Sequence, residues 1–260
     1  MLRFVINLDR SKERLKETSN RLEQLDIEFE RMPAVDGSVL TDDEIQSWTY
    51  PLDHFATKVR FTRNITRGEV GCFLSHRKCW RRLVESDQLW AMCMEDDIVV
   101  SDLAAKYMKT DDWLPSSIDV CQLSCLESCQ KGRIGQKIIY IDDLMRLVQP
   151  LYPMPLGTQC YLISKRAAKR ALELSERLPA PVDNFLFSLW FDLANEFQVW
   201  RTDPVLVTQN QNIASAIGSR SKKSVQKAPF WIRHGLTRFL LDRRIKKQQK
   251  MGQPFEFKFH

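Results

Sequence analysis

LWAMCMEDDIVV, residues 89–100, places three adjacent carboxylates at the end of a short apolar run. The run is bounded by charge and followed by the β-branched residues Ile98–Val100, a pattern that predicts a buried β-strand. In an α/β sheet, ligands bind outside the carboxyl ends of the strands. We therefore expect Glu95, Asp96 and Asp97 to face a cleft, with a bound positive charge offsetting their mutual repulsion.

Strands and helices alternate around this stretch. The pattern of apolar residues predicts further strands over 4–8, 27–35, 118–125, 137–142 and 158–164, and helices after Ser11, over 68–86 and after Ser164. Residues 38–66 have no clean period and predict a long loop with short helical pieces. This alternation predicts an α/β sandwich with a mostly parallel central sheet.

The net charge of +6 is unevenly distributed along the 260 residues. Residues 220–250 hold eleven Lys and Arg against one acid, Asp242, so the remainder of the chain carries −4. We expect a globular domain over residues 1–220 and a basic helical tail over residues 221–260. A nucleic-acid-binding module would explain the tail, but the acidic body lacks the basic groove that such binding needs, so we expect no nucleic-acid partner.

Cysteine usage and hydropathy indicate the compartment. The seven cysteines are an odd number without a CxxC pair, which favours reduced thiols in a cytoplasm. No stretch reaches the roughly 18 uninterrupted apolar residues of a spanning helix, and the N-terminus does not read as a signal peptide. The sequence predicts a protein that stays in the cytoplasm.

The three carboxylates offer hard oxygen ligands, which suit Mg²⁺ or Mn²⁺. Such ions retain open positions for the phosphate oxygens of a substrate. The alternative interpretation of an isolated EDD is a solvated turn with paired surface acids.

Six segments, taken together and in this order, resemble glycosyltransferase family 25. They are VINLDRSKERL (5–15), AVDG (34–37), GEVGCFLSH (68–76), MEDDIVV (94–100), GTQCYLIS (157–164) and PVDNFL (181–186). The family includes bacterial lipooligosaccharide galactosyltransferases and the related collagen galactosyltransferases, and the resemblance covers about residues 2–220. It implies a GT-A-like nucleotide-sugar fold, a UDP-sugar donor, a Mn²⁺-type metal and inversion at the anomeric carbon.

The resemblance also implies roles for the acids. Glu95 and Asp97 frame a D-x-D-like element, so Asp97 is the first expected metal ligand and Glu95 or Asp96 the second. A second carboxylate held away from the metal would deprotonate the acceptor hydroxyl. Asp183 is the expected base, with Asp192 as the fallback. The alternative role of Asp183 is to cap the helix that follows it.

The donor pocket is expected where the first two strands end. The predicted donor contacts are Asn7, Asp9 and Arg10 after the first strand, Asp36 and Gly37 after the second, Glu69 and His76 on the helix over 68–86, and Gln209, Ser219 and Arg220 near the pyrophosphate. His76 lies on an apolar helix face, where a core role is the alternative. The segment 207–223 is alternatively a basic hinge. Arg14 is interpreted as an ordinary solvated charge.

These features predict an inverting hexosyltransferase that moves galactose from UDP-galactose to a core sugar of lipooligosaccharide or LPS. The alternatives are a transferase that uses UDP-glucose and a non-catalytic protein that binds a sugar, a nucleic acid or a membrane.

The basic segment 228–250 predicts an interfacial helix on anionic lipid, anchored by Trp231 and Phe239, on the cytoplasmic face of the bacterial inner membrane. An acceptor in the form of a lipid-linked oligosaccharide would make that placement useful. The alternative is a helix packed on the globular domain.

Overall fold

The computed structural model describes residues 1–50, 65–126, 131–151, 157–188, 192–210, 243, 246–247 and 250–260. Within them the helices are α1 (Lys12–Gln24), α2 (Asp42–Trp48), α3 (Arg67–Val84), α4 (Ala104–Met108), α5 (Lys165–Leu174), α6 (Val182–Phe187) and α7 (Asp192–Glu196). The strands are β1 (Leu2–Asn7), β2 (Glu30–Pro33), β3 (Trp90–Glu95), β4 (Ile98–Val100), β5 (Val120–Gln122), β6 (Lys131–Tyr140), β7 (Arg146–Leu151), β8 (Cys160–Ser164), β9 (Val199–Asp203), β10 (Val207–Gln209) and β11 (Gln253–Glu256).

A nine-stranded sheet with the order β11-β6-β7-β9-β5-β8-β3-β1-β2 forms the centre of the fold. The predicted α/β class is confirmed, and the sheet is mixed. Strand β1 pairs in parallel with β2 and β3, and β5 pairs in parallel with β9. The remaining pairings in this sheet are antiparallel. Because β1, β2 and β3 run in parallel, their carboxyl ends meet at one edge.

The sheet buries both of its faces. Phe4 of β1 and Cys93 of β3 point into one core, which helices α3, α5 and α6 cover. Their chain neighbours Val5 and Met92 point into the opposite core, together with residues of α1 and α4. Successive side chains of a β-strand point to opposite faces of the sheet. Because both faces are buried, the strand sequences are continuous apolar runs.

Helix α3 follows the predicted pattern except at Arg77. The spacing of charged residues in the sequence predicts that Arg77 shares a solvated face of this helix with Lys78, Arg81 and Arg82, yet Arg77 is buried, with 8% of its surface exposed. Its guanidinium donates hydrogen bonds to the carbonyl of Leu172 and to Ser175 and lies 5.5 Å from the centre of the Trp48 ring. Helix α5 packs on this side of α3, so a face that would be solvated in an isolated helix is an interior one here.

The two predicted serine caps differ in the structure. The Ser164 hydroxyl accepts a hydrogen bond from the Ala167 amide and caps α5 as predicted. Ser11 occupies the N-cap position of α1, but its side chain makes no capping hydrogen bond.

The end of the predicted helical tail is a strand. Strand β11 pairs antiparallel with β6 at the edge of the large sheet, and the side chain of Phe257 just beyond it is buried. The prediction of a helical tail over residues 221–260 is therefore wrong for residues 253–256, because Phe255 and Phe257 pack against one small core beside the sheet edge. Residues 211–242 lie outside the described part of the chain, so the boundary at residue 220 stays a prediction.

Candidate active site

A cavity of about 790 Å³ opens where β1, β2 and β3 end. This volume lies in the range of roughly 300–1,000 Å³ that small-molecule sites occupy. The cavity is lined by the three adjacent carboxylates of the opening stretch, by residues 34–38, 67–69, 157–159 and 181–183, and by Arg10, Arg14, Cys72, His76 and Gln209. The three carboxylates thus line a cavity at the edge of the sheet where the sequence predicted a cleft.

The turn after β2 lies directly against the start of α3. A Cβ atom on Gly71 would stand 2.6 Å from the backbone nitrogen of Gly37 and 2.6 Å from the Val35 carbonyl oxygen. A Cβ atom on Gly37 would be closer still to the Arg67 carbonyl. Glycine at both positions therefore lets two cavity walls meet, and it is this close approach that requires the two glycines of the predicted motifs.

Asp96 and Asp97 converge on Arg14, which corrects the interpretation of Arg14 as a solvated charge. Nη1 of Arg14 lies 3.2 Å from Asp96 Oδ1, and Nη2 lies 2.6 Å from Asp97 Oδ2. Only 16% of the Arg14 side chain is exposed. Arg14 is brought there because α1 passes directly beside the end of β3, a placement that helical periodicity does not reveal.

The surroundings of the two aspartates differ. The Asn7 amide donates to Asp96 Oδ2 over 2.7 Å, and the Gln209 amide donates to Asp97 Oδ2 over 3.0 Å. Asp97 Oδ1 is buried and has no hydrogen-bond partner among the described residues. Burial, and then the charge of Glu95, raise the pKa of Asp97 to about 6.

Glu95 points to a different set of partners. It accepts a hydrogen bond of 2.6 Å from the Thr158 hydroxyl, and its Oε1 lies 3.7 Å from Nε2 of His76. Burial opposes its ionisation, but the nearby imidazole of His76 outweighs burial and lowers the pKa of Glu95. Thr158 belongs to the segment GTQCYLIS but is not among the predicted site residues, because nothing in the sequence indicates that its hydroxyl faces Glu95.

His76 is both a core residue and a cavity residue. Its side chain is buried, as the alternative interpretation expected, and Nδ1 lies 2.9 Å from the Tyr161 hydroxyl. Burial lowers the pKa of His76, but the neighbouring polar side chains of Cys72, Cys93 and Glu95 outweigh burial and raise it well above its usual value. The structure therefore favours a positive charge at this point of the cavity wall.

Asp183 lies in the first turn of α6 and lines the cavity. Its Oδ1 accepts hydrogen bonds from the backbone and side-chain amides of Asn184, at 2.7 and 3.0 Å. The N-cap of α6 is Pro181, so the alternative role of Asp183 as the N-cap is wrong. The helix starts two residues earlier than a cap at Asp183 would allow, because Pro181, which has no backbone N–H to satisfy, leads into it.

The predicted donor contacts are only partly brought together. Arg10 forms an ion pair with Asp36 at the cavity, and Gly37 and Gln209 line the same space. Glu69 lines it too, while its carboxylate also accepts from the amide of Thr66 and closes a capping box at the start of α3.

Two predicted contacts have other roles. Asn7 is buried beneath Asp96 and holds that carboxylate, and Asp9 is exposed and pairs with Arg31. Ser219 and Arg220 lie outside the described residues. Asp192 is the first residue of α7, and its side chain lies outside the described part of the structure.

The residues present fit a divalent cation. The carboxylates of Asp96 and Asp97 both face the Arg14 guanidinium, and the buried Oδ1 of Asp97, which has no hydrogen-bond partner in the described part of the chain, can serve as a ligand. Oxygen ligands of this type suit Mg²⁺ and Mn²⁺.

Comparison with known proteins identifies the family. The family model of glycosyltransferase family 25, described as an LPS biosynthesis protein, matches residues 1–186. The chain belongs to glycosyltransferase family 25. Membership of this family confirms the resemblance and the predicted GT-A-like fold class.

The alignment with this chain covers a different fraction of each family 25 relative. Procollagen galactosyltransferase 2 of Mus musculus is 33% identical over 154 residues, which are 58% of this chain and 22% of the relative. Lipooligosaccharide biosynthesis protein lex-1 of Haemophilus influenzae is 23% identical over 214 residues, which are 74% of this chain and 70% of the relative. The chain thus spans less than a quarter of the length of the procollagen galactosyltransferase.

Among solved structures, the chain is similar to a glycosyltransferase involved in glycosylation of the major capsid of PBCV-1. The TM-score is 0.43 with 10% identity, over 82% of this chain and 95% of that one.

Proposed function

We propose that the protein is an inverting hexosyltransferase that transfers galactose from UDP-galactose to a core sugar of lipooligosaccharide or LPS. The observation that carries the proposal is the cavity that Asp97 and Asp183 both line, on different elements. Its support comes from family membership and from the names of the relatives, a procollagen galactosyltransferase and a lipooligosaccharide biosynthesis protein.

The residues divide into two groups by their chemistry. Asp97 and Asp96 would hold a divalent cation, Mn²⁺ or Mg²⁺, which when bound supplies positive charge for the leaving pyrophosphate. Arg14 supplies a further fixed positive charge at the same carboxylates. Arg10 and Asp36 border the space assigned to the nucleotide.

Asp183 is the proposed base that takes the proton of the acceptor hydroxyl. Inversion needs a base that takes this proton while the hydroxyl oxygen attacks the anomeric carbon and the UDP oxygen leaves. Asp183 is held on α6 and lines the cavity, whereas Arg14 pairs with Asp96 and Asp97. The proposed base therefore lies on a different element from the carboxylates that would hold the cation.

Titration with a panel of UDP-sugars tests the proposal. Purified protein with Mn²⁺ should be stabilised against heat by UDP-galactose more than by UDP-glucose, and excess EDTA should remove the effect. Greater stabilisation by UDP-glucose would replace the donor with the alternative one. If no UDP-sugar stabilises the protein or is hydrolysed, a non-catalytic role replaces the proposed one.

The acceptor and the location are proposed from the basic segment 228–250. Within the described part of the chain, no helix combines the length and the apolar composition that crossing a bilayer requires. The sequence of the segment supports a peripheral position on the cytoplasmic face of the bacterial inner membrane, beside a lipid-linked oligosaccharide, because each basic residue near anionic lipid contributes on the order of 1 kcal/mol.

The membrane proposal is tested without truncation, because removing the tail would also remove β11 from the sheet. A variant with Lys246, Lys247 and Lys250 changed to Gln should lose binding to vesicles of anionic lipid at low salt. A matched control changes the exposed residues Lys16, Lys137 and Lys169 to Gln and should bind like the parent. Failure of the parent protein to bind anionic vesicles at low salt would refute the proposed location.

A further inference from the structure

Cys72, His76 and Glu95 form a cluster that the proposed transfer reaction does not use. One ligand atom of each residue can be chosen so that all three atoms lie within 4.8 Å of one another. Cys72 and His76 are four residues apart on α3 and so share a helix face, while Glu95 enters from the end of β3. All three line the cavity.

His76 presents a nitrogen to this cluster that hydrogen bonding leaves unused. Nε2 is buried and makes no hydrogen bond among the described residues, and it lies 3.7 Å from Glu95 Oε1. A nitrogen lone pair and a carboxylate at this distance repel each other unless a positive charge lies between them. The position requires either a proton or a metal ion.

The opposite side of the imidazole ring is fixed by Tyr161. Nε1 of Trp80 and Nδ1 of His76 both lie 2.9 Å from the Tyr161 hydroxyl oxygen, and the Trp80 N–H donates to that oxygen. When the oxygen accepts from both ring N–H groups, Nδ1 carries the proton of neutral His76. Nε2 is then the lone-pair nitrogen. Metal-bound histidines are oriented in the same way, through a hydrogen bond at the other ring nitrogen.

The geometry points to a Zn²⁺ site formed by Cys72 Sγ, His76 Nε2 and Glu95, distinct from the cation site of Asp96 and Asp97. Thiolate, imidazole and carboxylate are the ligands that zinc takes, whereas Mg²⁺ and Mn²⁺ prefer oxygen alone. Bond lengths of about 2.0–2.3 Å place ligand atoms roughly 3.3–3.8 Å apart, so the cluster needs to close by about 1 Å. The fourth position opens to the cavity.

Glu95 supports this separation of two sites. Its Oε1 accepts from Thr158, which holds the carboxylate toward His76, while Asp96 and Asp97 converge on Arg14 instead. The cluster therefore keeps its own orientation whether or not a cation is bound at the aspartates.

Cobalt binding to the full-length protein tests the site. After dialysis against a chelator, one equivalent of Co²⁺ should produce the near-ultraviolet absorption of a cobalt–thiolate bond, and Zn²⁺ should displace it. Cys72→Ser should abolish the band, whereas Cys121→Ser, which removes a buried thiol on β5, should keep it. Asp97→Asn should also keep it, so the result is independent of the proposed transferase activity.

Two further variants make the outcome decisive. Tyr161→Phe should weaken Zn²⁺ binding about 10- to 100-fold, because the hydrogen bond that orients the imidazole is lost. Glu95→Gln should weaken Zn²⁺ binding as well and serves in place of Cys72→Ser if that variant does not fold. Absence of the thiolate band in the parent, or a band that persists in Cys72→Ser, would show that a proton alone occupies the position and would overturn the inference.

Discussion

Arg14 shows how a single residue obtains its role from its neighbours. The repulsion of Glu95, Asp96 and Asp97 predicts a compensating positive charge, and the guanidinium of Arg14 is one such charge, 2.6 Å from Asp97. Its one charge faces two carboxylates, so part of the repulsion remains. Burial, and then the remaining repulsion from Glu95 and Asp96, raise the pKa of Asp97, and a cation would relieve that repulsion.

Changing Asp97 to Asn should separate stability from activity. We expect transfer to fall by about 10²-fold or more, because a charge that holds the cation is removed. The melting temperature of the metal-free variant at pH 7 should equal or exceed that of the parent, as measured by circular dichroism. Asp102→Asn, which alters an exposed carboxylate, is the matched control and should change neither quantity. Full turnover of the parent in excess EDTA would contradict the assignment.

The stability gain from this change should depend on pH in a defined direction. The folded protein holds the Asp97 proton more tightly than the unfolded chain, because its pKa of about 6 lies above the unfolded value of about 4. The stability that this proton contributes is fully present below pH 4 and is lost as the pH rises through 6. The difference between Asp97→Asn and the parent should therefore shrink as the pH is lowered from 7 to 4.

Asp183→Asn tests the base. If the carboxylate takes the acceptor proton, kcat should fall about 10²- to 10⁴-fold while the affinity for the UDP-sugar is retained. The free energy of unfolding should change by less than about 1 kcal/mol, since the capping position belongs to Pro181. The exposed Asp143→Asn is the control. A kcat within a few-fold of the parent would remove Asp183 from the catalytic residues.

At the scale of elements, the site depends on how closely the turn after β2 packs on α3. The capping box of Thr66 and Glu69 fixes where α3 begins, and glycines on both sides allow the backbones to touch. This contact sets the distance between the wall that carries Asp36 and the wall that carries His76.

Gly71→Ala should disturb this contact more than an ordinary glycine substitution. The added methyl group would lie 2.6 Å from two backbone atoms, so we expect a loss of about 1–3 kcal/mol in the free energy of unfolding and a weaker affinity for UDP-sugar. At Gly132 the nearest atom is a side-chain carbon of Phe257 at 3.6 Å, so Gly132→Ala should leave stability within about 1 kcal/mol. Urea unfolding measures both variants. Equal stabilities would show that the turn moves aside freely.

At the scale of the whole molecule, the C-terminal residues complete the sheet on the side away from the cavity. The ring of Phe257 lies 4.7 Å from the guanidinium carbon of Arg201, which is itself fully buried. Arg201 donates to Gln122 Oε1 over 2.9 Å and to Cys125 Sγ over 3.2 Å. The chain end thereby covers a buried charge on β9.

Phe257→Ala should expose that charge and leave a cavity. We expect a loss of about 3–5 kcal/mol in the free energy of unfolding, comparable with other buried Phe to Ala changes. Phe259→Ala, at a position with 39% of its surface exposed, should cost less than about 1 kcal/mol. Chemical denaturation with both variants checks the difference. Two equal and small losses would mean that β11 is dispensable for the fold.

The sequence by itself determined the α/β class, the family and the sheet edge that carries the site. Buried strands have continuous apolar runs and their ends carry the polar residues, so local periodicity locates both. It also indicated Asp36, Gly37, His76, Asp97, Asp183 and Gln209, which all line the cavity. These residues could be predicted from the sequence because each lies at the end of an element or in a motif.

Only the tertiary structure decided which side chains meet. The sequence does not reveal that Arg14 reaches Asp97 across 83 positions of the chain, that Thr158 turns Glu95 toward His76, or that β11 joins the sheet. It predicted a solvated Arg77 and a helical end, because periodicity reports one polar face but not what packs on it. Contacts between distant segments depend on strand order and on close backbone approach, and neither is encoded in the local pattern of residues.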